Sequence, residues 1–144
     1  MVSELRLPAT TDSVRLARRF VREQLHDSGC DVDTAVLLAS EVVTNAVLHG
    51  RSDVLVAVQD MGDTARIEVS DDSTRSPRLN RFHVESATGR GLRLVEQLAI
   101  RWGVAPAGPG GGEGKVVWFE VGPATDAAWE SFADSSFAEG AAPE

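Results

Sequence analysis

The stretch Ser40–Gly50, "SEVVTNAVLHG", constrains this chain most. It is the heart of a helix that starts at Asp31 or Asp33 and ends near His49, with Gly50 as its stop. On a wheel of ~100° per residue, Val36, Ala39, Val43, Ala46 and Val47 cluster on one side. Leu37, Leu38 and Leu48 lie opposite, beside Glu41 and Asn45. A helix apolar nearly all round is a buried one. Glutamate is almost never fully buried without a partner. Something polar is therefore expected to face Glu41 and Asn45, which sit one turn apart on one face.

The flanking segments say what kind of core receives this helix. "SELRLP" reads as a first edge strand ending at Pro8. A helix follows, with Thr10, Thr11 or Asp12 as cap, a stripe of Val14, Ala17, Phe20, Val21 and Leu25, and Gly29 as its stop. "DVLVAVQD" and "TARIEVSD" are strands joined by the hairpin signal "DMGD". Parity in the second strand puts Asp71 on the inward side with Ile67 and Val69, and Asp72 outward. "GRGLRLVEQLA" reads as a helix opening on Gly89 and Gly91, followed by strands at "WGVAP" and "KVVWFEV".

Two stretches break this regularity. Residues 72–88 are polar and without period, and so long a loop inside a compact domain points to function, as in a lid. Residues 122–144 form an acidic, Ala-rich tail, either one short helix or disordered, set apart from the folded unit at 1–121.

Charge and cysteine usage exclude several classes. A net charge of −8 argues against non-specific nucleic-acid binding, which requires a basic surface. Cys30 is alone, which rules out an intrachain disulfide and fits a reducing cytoplasm. No apolar run approaches the ~18 residues of a membrane span, and no signal-peptide core opens the chain. A soluble, cytoplasmic protein is expected. His26, His49 and His83 lack metal-ligand spacing, so no zinc site is expected. "GPGGGEGK" leads into a strand and not a helix, which removes the phosphate-loop reading.

Three features carry possible chemistry. Glu41 with Asn45 pairs a candidate general base with an amide oxygen suited to a hard cation, or else forms a buried polar network. Asp71 either accepts a hydrogen bond from a purine amine or caps the loop after its strand. "GRGLRLV" either brings phosphates to a helix N-terminus, with Arg90 adding a charge-assisted bond, or is simply a turn before a helix.

Taken in order, "EVVTNAVLHG", "IEVSDDS" and "GRGLRLVEQLA" resemble the motif series of the GHKL (Bergerat) ATP-binding fold shared by histidine kinases, gyrase B, Hsp90 and MutL. The resemblance spans roughly residues 5–121 and is nearest to bacterial anti-sigma factors with serine/threonine-protein kinase activity. It implies a two-layer α/β sandwich, a mixed sheet with helices over one face. It implies ATP and Mg²⁺ as ligands, Glu41 as catalytic base, Asn45 as Mg²⁺ ligand and Asp71 as reader of the adenine amine. Gly89, Arg90 and Gly91 are implied beside the phosphates, with His49 from the E-x-x-x-N-A-x-x-H-G string in the binding set and 72–88 as ATP lid. The implied partners are a sigma factor and an anti-anti-sigma (STAS-type) protein, the latter the phosphate acceptor, with the chain acting as a homodimer. The alternative is a non-catalytic regulator on the same fold, which sequesters a sigma factor or other regulator with ATP structural or absent.

The sequence departs from the family pattern twice. Asp71 is followed by Asp72, Ser73, Thr74 and Arg75, where the family shows D-x-G-x-G. Lys115 and Val116 stand where a threonine usually supports adenine recognition.

Overall fold

Alternating burial along its strands and a central buried helix organise the molecule. The computed structural model describes residues 2–49, 53–71, 91–106 and 114–124. In chain order these form β1 (Val2–Leu7), α1 (Asp12–Gln24), α2 (Val32–His49), β2 (Val54–Asp60), β3 (Ala65–Asp71), α3 (Gly91–Leu98), β4 (Arg101–Pro106) and β5 (Lys115–Val121). The strands make one five-stranded sheet in the order β1-β2-β3-β5-β4.

The two-layer α/β sandwich expected from the sequence is the observed fold, with one correction. Among the described residues every ladder of the sheet is antiparallel, where a mixed sheet was expected. Connectivity is the reason. β2–β3 and β4–β5 are sequential antiparallel pairs, and the excursion through α3 and β4 brings β5 back against β3 running the opposite way.

One sheet face is apolar and receives the helices. Leu7, Val54, Val56, Val58, Ile67, Val69, Val117, Phe119 and Val121 form a single cluster with Ala17, Val21, Leu25, Ala39, Val43 and Val95 of the helices. β3 alternates strictly between buried and half-buried positions from Ala65 to Asp71. The fully buried side chains include Phe119, Leu38 and Ile67. Burial of such groups, at about 1.5–3 kcal/mol each, is the main source of stability.

The helix ends differ from expectation at one point. Asp31 caps α2: its carboxylate accepts from the Thr34 N–H at 3.2 Å and the Thr34 hydroxyl at 2.9 Å. No such bond begins α1, where Thr11 occupies the cap position without a side-chain hydrogen bond. Its own helical backbone, at φ −65° and ψ −28°, explains this. The start is held instead by buried Ser13, whose N–H donates to Thr10 O at 3.0 Å and whose hydroxyl donates to Pro8 O at 2.6 Å.

The α1–α2 link is stitched to the sheet. Gly29 N–H donates to Gly62 O, Asp31 N–H to Gly122 O, and Ala124 N–H to Gly29 O. Gly62 turns the β2–β3 hairpin at φ +97°, a conformation that favours glycine. At Gly29 a Cβ would lie 3.1 Å from the backbone oxygen of Gly62, a close approach that favours glycine there.

The open sheet face carries charge. Glu120, 8% exposed, accepts from Arg66 at 3.1 Å and from Arg101 at 3.1 Å. Arg66 also pairs with Glu68 and lies 4.1 Å above the Trp118 ring. Trp118 in turn packs over Gly103, where a Cβ would lie 2.9 Å from its indole nitrogen. None of the described helices is long and apolar enough to cross a membrane.

Candidate functional site

A small pocket opens between α2 and the sheet. Val42, Asn45 and Ala46 of α2 form one wall, with Val69 and Asp71 of β3 and Lys115 and Val117 of β5 opposite. The apolar members suit a flat aromatic ring, and the three polar ones are few and convergent, the usual make-up of a small-molecule site.

Strand pleat places the first polar member. Asp71 is the last residue of β3, on the same side as Ile67 and Val69, and lies between Val54 of β2 and Lys115 of β5 in the sheet register. It is 3% exposed. The inward orientation read from strand parity is therefore observed. A buried carboxylate requires a partner, and Lys115 Nζ donates to Asp71 Oδ2 at 3.0 Å. The Lys115 side chain is 18% exposed and that of Asp71 2%.

Helix packing places the second. Asn45 lies on the sheet-facing side of α2, between Val42 and Ala46, and is 6% exposed. Its Nδ2 is buried and has no hydrogen-bond partner among the described residues. An unmade bond of this kind costs about 1–3 kcal/mol. No other buried side-chain N or O among the described residues lacks a partner, and an amide beside a pocket is where a ligand would remove the cost.

Glu41 sits one turn earlier on α2, about 6 Å along the helix axis. It is half-buried and has an interaction of its own, and it does not line the pocket. Gly91 is the first residue of α3 and His49 the last of α2. Gly89, Arg90 and the 72–88 segment lie outside the described residues, as do 107–113 of the Gly-rich loop and the tail from 125 onward.

The structure thus brings Asn45 and Asp71 into one cavity and adds Lys115, which in the sequence stands out only as a departure at the family's threonine position. A signal for Lys115 is nonetheless present there. It is the only lysine of the chain, and strand parity puts it on the same side as Val117, Phe119 and Val121.

The residues present fit a nucleotide with Mg²⁺. The Asn45 amide can donate to a phosphate oxygen through its nitrogen and face a hard cation with its oxygen. No group of three His, Cys, Asp or Glu gathers among the described residues. Mg²⁺ does not require one, because it takes most of its ligands from phosphates and water. Cys30 is no rival nucleophile: burial pushes its thiol above the ordinary value of 9.0.

Comparison with known proteins bears on the family and the fold. A family model described as a histidine kinase-like ATPase domain matches residues 7–120. The fold resembles the crystal structure of the RsbU and RsbW domains of Rv1364c from Mycobacterium tuberculosis, with a TM-score of 0.56 and 23% identity over 83% of this chain and 33% of that one. It also resembles the histidine kinase domain of a blue-light activated histidine kinase from Erythrobacter litoralis EL346, with a TM-score of 0.50 and 22% identity over 81% of this chain and 61% of that one. This chain therefore spans less than two thirds of either structure. At such identity the likeness is one of fold. Comparison with curated proteins gave no match.

Proposed function

The chain belongs to the histidine kinase-like ATPase domain family, and on that footing we propose that it is an ATP- and Mg²⁺-dependent serine/threonine-protein kinase that serves as an anti-sigma factor. The observation that carries the nucleotide reading is Asn45 Nδ2, buried without a hydrogen-bond partner among the described residues, in the same pocket as the buried carboxylate of Asp71.

Each side chain has a part in this reading. Asp71 accepts from the exocyclic amine at the base end. Val42, Ala46, Val69 and Val117 cover the ring faces and exclude water. Asn45, on α2, holds the phosphate end and Mg²⁺, which when bound neutralises charge developing on the transferred phosphoryl group. Glu41, one turn from Asn45, accepts the proton of the attacking hydroxyl, a contribution typically of about 10²–10⁴-fold. Gly89, Arg90 and Gly91, at the entry to α3, and His49, at the exit of α2, complete the phosphate surroundings. The acceptor is a serine or threonine of a STAS-type antagonist, and the regulated partner is a sigma factor bound by a homodimer.

The test is phosphate transfer from radiolabelled ATP to a STAS-type antagonist in the presence of Mg²⁺. Glu41→Ala is expected to lower transfer roughly a hundredfold or more with ATP binding retained. Undiminished transfer by this variant removes Glu41 from the chemistry. Capture of a sigma factor without any transfer by the parent protein favours the non-catalytic regulator.

A further inference from the structure

The Asp71–Lys115 pair deepens the reading of the pocket as a nucleotide site, and rests on that reading. Lys115 stands at the first residue of β5, directly opposite the last residue of β3. Its ammonium makes one hydrogen bond among the described residues, to Asp71 Oδ2. An ammonium has three N–H donors and no acceptor. Two donors are therefore left where Lys115 lines the pocket, immediately beside a carboxylate that only accepts.

We propose that Lys115 is a base-reading residue, donating to the ring nitrogen N1 of adenine while Asp71 accepts from the adjoining exocyclic amine. The adenine edge offers a donor beside an acceptor, and the pair offers an acceptor beside a donor. Two further observations set this apart from a purely structural ion pair or a plug. The pocket persists with Lys115 already bonded to Asp71, so the lysine is part of its wall. The position is also costly for a lysine, whose ammonium hydrates strongly, yet this side chain is largely withdrawn from water.

The test compares ATP with 1-deazaadenosine triphosphate, which keeps the amine and phosphates but carries C–H in place of N1. Calorimetric titration with Mg²⁺ is run on the parent protein and on Lys115→Met, with thermal unfolding as a check on the fold. The parent is expected to bind ATP tighter than the analogue by roughly tenfold or more, the size of a hydrogen bond to a charged group. Lys115→Met is expected to bind both ligands alike and weakly. Equal affinity of the parent for the two ligands overturns the proposal, and does so whether or not the variant folds. Tighter ATP binding by Lys115→Met than by the parent also overturns it, since the lysine would then be a plug. Failure of the parent to bind either ligand removes the nucleotide reading itself, a result distinct from equal binding of both.

Discussion

Asp71 and Lys115 face each other across the β3–β5 ladder, carboxylate to ammonium at 3.0 Å, in the pocket that also holds Asn45, whose Nδ2 has no hydrogen-bond partner among the described residues. One strand end thus joins a buried acid, its counter-charge and a cavity. Separate measurements follow for each of these parts.

Asp71→Asn keeps the size of the side chain and removes its charge. Lys115 retains partial access to water, so the fold should survive. Affinity for Mg²⁺-ATP should fall by about 1–1.5 kcal/mol, roughly five- to twelvefold, because a charge-assisted bond to the base becomes a neutral one. Calorimetry with circular dichroism checks both halves. A folded variant with unchanged affinity would remove Asp71 from base recognition.

Asn45→Leu separates stability from function. In the ligand-free protein the Asn45 nitrogen is buried with no partner among the described residues, and a leucine of similar length leaves no such group. The variant should gain about 1 kcal/mol, a few degrees in Tm, while losing Mg²⁺-dependent nucleotide binding. A lower Tm would mean that the amide is satisfied in the free protein.

Glu120→Ala tests the opposite face of the sheet. It removes the acceptor shared by Arg66 and Arg101, leaving Arg66 over Trp118 with Glu68 beside it. Stability should fall by about 2 kcal/mol, read from urea unfolding, and nucleotide affinity should not change. A large loss of affinity would couple this face to the pocket.

Cys30 should resist modification. It is 1% exposed and its thiol is raised by burial above 9.0, so a disulfide-exchange reagent should react slowly in the native state and fast in urea. The sign of its pH effect follows from linkage. The unfolded thiol ionises first as pH rises, so stability from this group is intact below pH 9.0 and is lost above it. Cys30→Ala should flatten that alkaline slope. Equal slopes would mean that the thiol titrates alike in both states.

Much of this architecture is legible in short-range pattern. Alternation from Ala65 to Asp71 is enough to locate the inward carboxylate, because a pleated strand leaves no other face for it. The apolar surround of Val36 to Val47 marks α2 as the central helix, although Leu48, assigned to the apolar surround, is 55% exposed at its end. Long-range pairings are harder to see. That Lys115 meets Asp71, and Arg66 meets Glu120, depends on β5 lying beside β3, a neighbour relation across the α3–β4 excursion. The antiparallel direction of every described ladder has the same origin. The α1 cap is not legible because Thr10, Thr11 and Asp12 are all good capping residues. The deciding group is the Ser13 hydroxyl, which turns back to Pro8.

The central claim is that this pocket binds a nucleotide, and calorimetric titration of the parent protein with ATP, with and without Mg²⁺, tests it most directly. The account predicts saturable binding that strengthens with Mg²⁺ and weakens in Asp71→Asn and Asn45→Leu. No heat of binding up to millimolar ATP in either condition would contradict it, and would leave a partner-binding protein on a histidine kinase-like fold.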